Sequence, residues 1–283
     1  MNRAEPLVWI IIVNWNGREM TLDCLDSLRE VTYRNRQVLV VDNGSTDASV
    51  SAIREHHPGV ALLPLAENRR FAGGSNAGMR HALEQGADAL LLLNNDTTVD
   101  PGFLTPMVER LSSDPSIGIV APKIFYHADP DRIWYAGGAI SFWAGAMKHV
   151  GLRERDRGQH DTPGETDYAT GCCLLARKEL VETIGMLDES YYMYSEDADW
   201  CMRARRSGYR IMYEPAAKVW HRLSVSAGGH LSWYKLKNKA RGNFAFFARH
   251  ARWYHWLTFP WMAILSNGTA AFGYLLRRRR PPR

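Results

Sequence analysis

Five short apolar runs punctuate the first 121 residues, and four stretches of helical pattern lie between and around them. The runs cover 8–13, 38–41, 60–63, 89–93 and 117–121. Each is apolar almost without interruption, the mark of a strand buried on both faces in a parallel sheet. The helical patterns fall at 19–30, 48–57, 75–85 and 103–111. Such alternation predicts a doubly wound α/β layer. Ligands on these sheets bind beyond the carboxyl ends of the strands. Three polar clusters sit there: Asn14-Trp15-Asn16, the run from Asp42 to Asp47, and Asn94-Asn95-Asp96. They are expected to converge on one cleft.

Beyond Arg132 the pattern loosens. Residues 133–150 are rich in Gly and Trp and predict strands flanking the sheet. The charged stretch 153–165 predicts a mobile loop. A strand is expected at 168–176, helices at 178–184 and 195–206, and short strands at 210–214 and 218–220. No repeat or low-complexity linker divides the chain. One catalytic domain is therefore expected over 1–228, with a nucleotide-binding half near 1–122 and an acceptor half near 123–228. A basic, aromatic, helical tail follows at 229–283.

The net charge is +5, and Arg277, Arg278, Arg279, Arg280 and Arg283 carry five positives at the extreme C-terminus. The remainder is close to neutral, which excludes a broad nucleic-acid face and points the tail at an anionic membrane surface. Residues 254–276 contain no Asp, Glu, Lys or Arg. That length would suit a span of about 20 residues. However, Pro260, Asn267, Gly268 and Gly273 interrupt it, and basic residues flank both ends. An interfacial segment with both ends on the cytosolic side fits that pattern. The competing reading is a helix docked on the domain with its aromatic residues as core. Cys24, Cys172, Cys173 and Cys201 form no CxxC pair, so reduced thiols are expected. The first apolar run leads directly into Asn14 and reads as a strand, not a targeting segment.

The chemistry is written in two acidic clusters. Tyr194-Ser195-Glu196-Asp197-Ala198-Asp199-Trp200 places three carboxylates within four positions. Acid this dense beside apolar residues is costly to bury unless a reaction or a metal uses it. Asp197 is the candidate base. Asp199 has a plainer use, pairing with Arg203 one helical turn later. In the upstream cluster, Asp96 could hold a divalent cation whose other positions are filled by water and substrate. Asp42 ends a strand and could accept the imide N–H of a uracil or thymine, while Asp47 has the place of a helix N-cap. The Gly-rich stretch from Asn68 to Gly78 has two open readings. One is backbone N–H groups and Arg69 or Arg70 near a diphosphate; the other is close helix packing. It is neither a Walker loop nor a Rossmann fingerprint.

These motifs, in this order from about Val8 to His221, resemble the inverting glycosyltransferases of family 2. The similarity is to bacterial rhamnosyltransferase-like members that build cell-surface polysaccharides. The carrying residues are those from Ile12 to Asn16, Val41 to Asp47, Glu67 to Gly78, Leu93 to Asp96 and Met193 to Asp199. The resemblance implies a GT-A fold, a Rossmann-like, mostly parallel α/β sheet, here with a membrane-associating appendage. It implies a nucleoside-diphosphate sugar donor, dTDP-rhamnose or a UDP-sugar, and a glycan or polyprenyl-linked glycan acceptor. It further implies Asp197 as the base that deprotonates the acceptor, Glu196 as the group that orients it, and Asp96 with His221 as ligands of Mg²⁺ or Mn²⁺. Asn14, Asn16, Asp42, Arg69, Asn76 and Asn95 would serve the donor. Asn94 stands where many relatives in the wider fold carry Asp, and Arg70 and Ser75 stand where similar sequences carry Gly and Asn. The expected location is cytoplasmic, peripheral on the inner face of the membrane.

Two other classes share the layer architecture. A non-catalytic, membrane-associated sugar-nucleotide-binding protein would bind donor without turnover, and loss of an acidic cluster would favour it; neither cluster is missing. A sugar nucleotidyltransferase would want a basic, Gly-rich phosphate loop directly after the first strand, and Asn14-Trp15-Asn16-Gly17 is a poor version of one.

Overall fold

The computed structural model describes residues 5–222 and 233–258. Its frame is a ten-stranded sheet. Four strands form the parallel half: β1 (Val8–Asn14), β2 (Arg36–Asp42), β3 (Ala61–Pro64) and β4 (Ala89–Asn94). They lie in the spatial order β4-β1-β2-β3. The chain builds outward from β1 to β3, then returns to the other side of β1 as β4. The crevice between β1 and β4 is thus a switch point, where ligands of such sheets bind. Three helices connect these strands: α1 (Arg18–Arg29), α2 (Ser49–His56) and α3 (Arg70–Glu84).

The apolar runs become this core because both sheet faces are covered. Ile10, Ile11, Ile12, Leu39, Val40, Leu91 and Leu92 are all buried. Each such side chain contributes about 1.5–3 kcal/mol relative to exposure. The glycines of 68–78 turn out to be mostly helical. α3 starts at Arg70, earlier than expected, and lies close on β1 and β2. A Cβ at Gly78 would stand 2.4 Å from Ile11 Cγ2, and one at Gly74 2.8 Å from Val13 Cγ1. Close helix packing is the reading these two glycines satisfy.

The second half departs from a simple parallel series. β5 (Thr97–Val99) leads to α4 (Leu104–Ser113) and β6 (Ile117–Tyr126). β6 does not pair with β4; β11 (Cys173–Arg177) inserts between them, antiparallel to both. The stretch between holds β7 (Asp129–Tyr135), the hairpin β8 (Gly138–Ser141) and β9 (Ala146–His149), and β10 (Gly164–Glu165). After β11 come α5 (Lys178–Ile184), α6 (Glu196–Arg206) and β12 (Arg210–His221). The two short strands expected at 210–220 are one strand, with a register break between Glu214 and Lys218 around Pro215. The charged stretch 153–165 is pinned rather than loose. Asp156 and Asp161 both pair with Lys123, a fully buried lysine of β6, and β10 joins the edge of β12.

A last helix, α7 (Trp233–His250), and a 3₁₀ turn at Trp253–Leu257 close the described structure. Phe246 and Phe247 are fully buried, and Phe142 stacks on Phe246 with centroids 6.1 Å apart. α7 thus packs on the domain through these two rings, while Trp253, Leu257 and Phe244 stay exposed. No helix among the described residues is long and apolar enough to cross a membrane. The expected tail boundary near 228, most of the uncharged stretch 254–276 and the terminal arginines lie outside the described residues. All four cysteines are free and buried, as their spacing suggested.

Candidate active site

The three polar clusters at the ends of β1, β2 and β4 do converge. Asn14 is their hub. Its Nδ2 donates to Asp42 Oδ1 at 2.9 Å and to Ser45 Oγ at 3.2 Å. Its Oδ1 accepts from Thr21 Oγ1 at 2.9 Å, Asn95 Nδ2 at 3.1 Å and Gly17 N at 3.2 Å. Asn14 is fully enclosed, so its amide fixes the loops that carry the other residues. Asp42 is buried beside it, and its second oxygen accepts from Ser45 N at 3.0 Å. Asn16 is exposed at the rim, with a left-handed φ of 51°, and its Oδ1 accepts from Thr46 N at 2.8 Å. Trp15 beside it is 56% exposed.

Asp47 does more than cap one helix. It accepts from Arg18 N at 3.0 Å, at the start of α1, and from Ser49 N at 3.2 Å, at the start of α2. Ala48, in a left-handed conformation, holds the cap position itself. The expected N-cap is thus displaced by one residue, because Asp47 reaches over Ala48 to serve both helix ends. Burial pushes its carboxyl upward, but hydrogen bonds from Ser49 and Arg18 outweigh that and hold it below the usual range.

Asp96 and His221 are brought together by strand pairing. Asp96 sits in the turn between β4 and β5, and β5 runs antiparallel to the end of β12 with Thr97 opposite His221. Asp96 O accepts from Arg222 N at 2.7 Å. The result is Asp96 Oδ1 at 3.1 Å from His221 Nε2, both side chains nearly buried. Asp96 Oδ1 and His221 Nδ1 are buried and make no hydrogen bond. Trp134 packs edge-on against the imidazole with centroids 4.6 Å apart and so holds its plane. An oxygen and a nitrogen donor with spare lone pairs suit a hard or borderline divalent cation. Among the described residues no third His, Cys, Asp or Glu completes the set.

Asp197 is the second residue of α6, yet it is tied to the β4 end of the sheet. Its Oδ2 accepts from Gly171 N at 2.8 Å, and its Oδ1 from Ala198 N at 2.8 Å. The next residue of that segment, Cys172, accepts from Asn94 N at 2.9 Å. Two residues, Gly171 and Cys172, thus link Asp197 to the strand end that carries Asp96. Both acids act on the Cys172 thiol, which burial foremost, then the charge of Asp96 and more weakly that of Asp197, raises well above its usual value. Gly171 allows close contact here: a Cβ would lie 3.0 Å from the Phe71 ring.

Glu196 is buried, and its Oε2 has no hydrogen-bond partner. Burial, then the charge of Asp197, pushes its carboxyl up to about 8. Burial raises Asp197 too, but three backbone hydrogen bonds oppose that. Both acids are thus raised, and Glu196, at about 8, is the one that keeps its proton at neutral pH. Asp199 faces away from this pair. Its carboxylate accepts from Arg203 Nε at 2.9 Å, as the one-turn spacing predicted, and from Tyr191 Oη at 3.2 Å; it also contacts His250 Nε2 at 2.8 Å.

Arg69, the residue before α3, donates its backbone N–H to Asn43 Oδ1 at 2.9 Å, while Asn76 lies within α3. Asn76 is buried and brackets the loop before α6, bonding Leu187 O, Leu187 N and Glu189 Oε1 at 2.9–3.0 Å. Arg69 is 4.0 Å from Glu189, and the Arg70 guanidinium lies 3.9 Å over the Tyr192 ring. Sequence reasoning passed over Thr21, Ser45, Gly171 and Glu189. Ser45 and Gly171 lay inside or beside motifs, but no local signal marks Thr21 or Glu189, whose partners are distant in sequence.

Residues 9–185 match the family described as Glycosyl transferase family 2. An N-acetylglucosaminyl-diphospho-decaprenol L-rhamnosyltransferase of Mycobacterium tuberculosis is 28% identical over 253 residues, 81% of this chain and 80% of that protein. The dTDP-rhamnosyl transferase RfbF of Shigella flexneri is 25% identical over 222 residues, 76% of this chain and 69% of that one. The fold is shared with the crystal structure of GalNAc-T7 with UDP, GalNAc and Mn²⁺, at a TM-score of 0.68 and 16% identity. That match covers 87% of this chain but 48% of the other, so this chain spans about half its length. The chain belongs to glycosyl transferase family 2 and is a glycosyltransferase built on the GT-A fold.

Proposed function

We propose that this glycosyltransferase moves a sugar, L-rhamnose from dTDP-rhamnose or another sugar from a UDP donor, to a hydroxyl of a polyprenyl-diphosphate-linked glycan, with inversion. The observation that carries this reading is the tie between Asp197 and Gly171, next to the residue that bonds the β4 end. That tie links the Asp197 carboxylate, through Gly171 and Cys172, to the strand end that precedes Asp96. The names of the mycobacterial and Shigella relatives support the rhamnosyl donor and the lipid-linked acceptor.

In this scheme Asn16 and Arg69 reach the donor directly, while Asn14, Asn95 and Asn76 hold the loops that shape its pocket. Each Asp42 oxygen has one internal donor and a further lone pair, enough to accept an imide N–H of a pyrimidine base. Asp96 and His221 would hold Mg²⁺ or Mn²⁺, which when bound neutralises charge on the departing diphosphate. Asp197 takes the acceptor proton as the hydroxyl oxygen bonds the anomeric carbon. The bond from that carbon to the diphosphate oxygen breaks, and the nucleoside diphosphate leaves with the electron pair. Protonated Glu196 offers an O–H to orient the acceptor. Residues 1–122 serve the donor, 123–228 the acceptor, and 229–283 the membrane. The exposed Trp253, Leu257 and Phe244, beside exposed Lys237, Lys239 and Arg241, support contact with an anionic inner leaflet.

The test is transfer to a polyprenyl-diphosphate N-acetylglucosamine acceptor by purified protein, with dTDP-rhamnose and a panel of UDP-sugars, with Mn²⁺ or Mg²⁺ and then EDTA. Inverted product from dTDP-rhamnose or a UDP-sugar, lost on chelation, is expected. Donor binding with no turnover on any acceptor would overturn the assignment.

A further inference from the structure

The residues just ahead of Asp197 adopt a conformation they would not choose alone. Tyr194 and Ser195 have φ of 70° and 73°, both in the left-handed region. A Cβ makes that region costly, and two consecutive non-glycine residues there must be held by their surroundings. The holding element comes from the far end of the chain. Gly242 of α7 lies directly on these carbonyls: a Cβ there would be 2.5 Å from Tyr194 O and 3.0 Å from Met193 O. The next residue, Asn243, accepts a hydrogen bond at its Oδ1 from Ser195 Oγ at 3.3 Å. Two turns on, His250 and Arg249 reach Asp199 in the first turn of α6 at 2.8 and 3.3 Å. The loop is clasped from its other side by Asn76 and Arg70 of α3.

We propose that α7 is a clamp on the catalytic loop, with Gly242 and Asn243 as positioning residues that set where Glu196 and Asp197 point. The proposal rests on the reading of Asp197 as the base. Neither residue touches a reacting atom; they act through the backbone of Met193, Tyr194 and Ser195. The donor residues at the ends of β1, β2 and β4 bond one another and not α7, while Arg69 and Asn76 touch the clamped loop only at Glu189 and Leu187. A displaced loop therefore lowers turnover more than it loosens the donor. It also moves the ionisation of the Glu196–Asp197 pair, because their mutual distance and burial change.

The test uses the full chain and four variants: Gly242→Ala, Asn243→Ala, Asp197→Asn and, as a control at a solvent-exposed position of the same helix, Ala245→Ser. Steady-state transfer to a soluble acceptor gives kcat, donor KM and the pH–rate profile, and circular dichroism gives the melting temperature. Gly242→Ala is expected to lower kcat by about 10- to 100-fold, the scale of a displacement near 1 Å. Its donor KM changes by much less than kcat, and the acid limb of its profile shifts. Asn243→Ala, which cannot clash, shifts the same quantities in the same direction by less, and it decides the matter if Gly242→Ala does not fold. Ala245→Ser behaves as wild type. If Gly242→Ala and Asn243→Ala lower the melting temperature alone, with kcat and pH profile intact, α7 is packing and the clamp is overturned. Turnover retained by Asp197→Asn would instead overturn the base assignment, and the clamp with it.

Discussion

Asp96 Oδ1 and His221 Nε2 stand 3.1 Å apart because the short strand after Asp96 pairs antiparallel with the strand that ends at His221. Asp96 Oδ1 and the other ring nitrogen of His221, Nδ1, are buried and make no hydrogen bond. His221→Ala is expected to weaken Mn²⁺ binding about tenfold or more in the presence of nucleoside diphosphate, since even ligand-supporting residues are worth 10–100-fold. Titration of free Mn²⁺ by electron paramagnetic resonance measures this directly. Unchanged affinity in both His221→Ala and Asp96→Asn would remove this pair from the metal site.

Glu196 carries the opposite signature of a stabilising acid. Its carboxyl is pushed by burial to about 8, from an ordinary 4.5. The folded protein therefore holds a proton that the unfolded chain releases. Stability falls as pH rises from about 4.5 to about 8 and then levels off. Glu196→Gln removes the ionisable group while keeping its shape. The variant should melt at a higher temperature than wild type at pH 8.5 and at the same temperature near pH 4, with transfer reduced. Equal melting curves at both pH values would contradict the buried, protonated state.

Asp199 behaves conventionally. Burial pushes its carboxyl upward, but hydrogen bonds from His250 and Arg203 and the charge of Arg203 prevail, leaving it at about 2. A depressed folded value means stability that is present above the ordinary carboxylate range and lost as pH falls from about 4 toward about 2. The contribution is on the order of 2 kcal/mol at neutral pH. Asp199→Asn should lose that margin at pH 7 and show a flatter acid unfolding curve in urea. A variant as stable as wild type at pH 7 would show that the cluster joining α6 to α7 contributes nothing.

Gly78 is a packing test remote from the chemistry. A Cβ would lie 2.4 Å from Ile11 Cγ2 and 2.9 Å from Val41 Cγ2. Gly78→Val should destabilise by about 1–3 kcal/mol or more through overpacking between α3 and the sheet. Chemical denaturation reads the change, and a neutral result would mean that α3 sits less closely on β1 and β2.

The parallel half of the sheet was legible because strands buried on both faces are written as uninterrupted apolar runs. Val8–Asn14, Arg36–Asp42 and Ala89–Asn94 each lie within a few residues of the expected spans. α3 was placed five residues too late because Gly73 and Gly74 read as a loop; their helical use depends on how close Val13 lies, which no local pattern encodes. β12 was read as two strands because Pro215 breaks the pattern, whereas the ladder absorbs it in a register shift. The strand-end clusters could be found from their residues, whereas Asp96 and His221 were joined only by the family resemblance, because their contact arises from an antiparallel pairing of distant segments. The Asp199–Arg203 pair was legible from helix spacing alone; its further partners on α7 were not.

The central claim is that Asp197 takes the acceptor proton while other residues hold the donor. Asp197→Asn keeps the size of that side chain and removes its basicity, giving up one of the two hydrogen bonds it accepts from Gly171 N and Ala198 N. The decisive measurement is calorimetric donor binding beside steady-state transfer for this single variant. Donor affinity like wild type, with turnover reduced by about 10²-fold or more, is the predicted result. Turnover near wild type would contradict the account, because the proton would then leave the acceptor by another route.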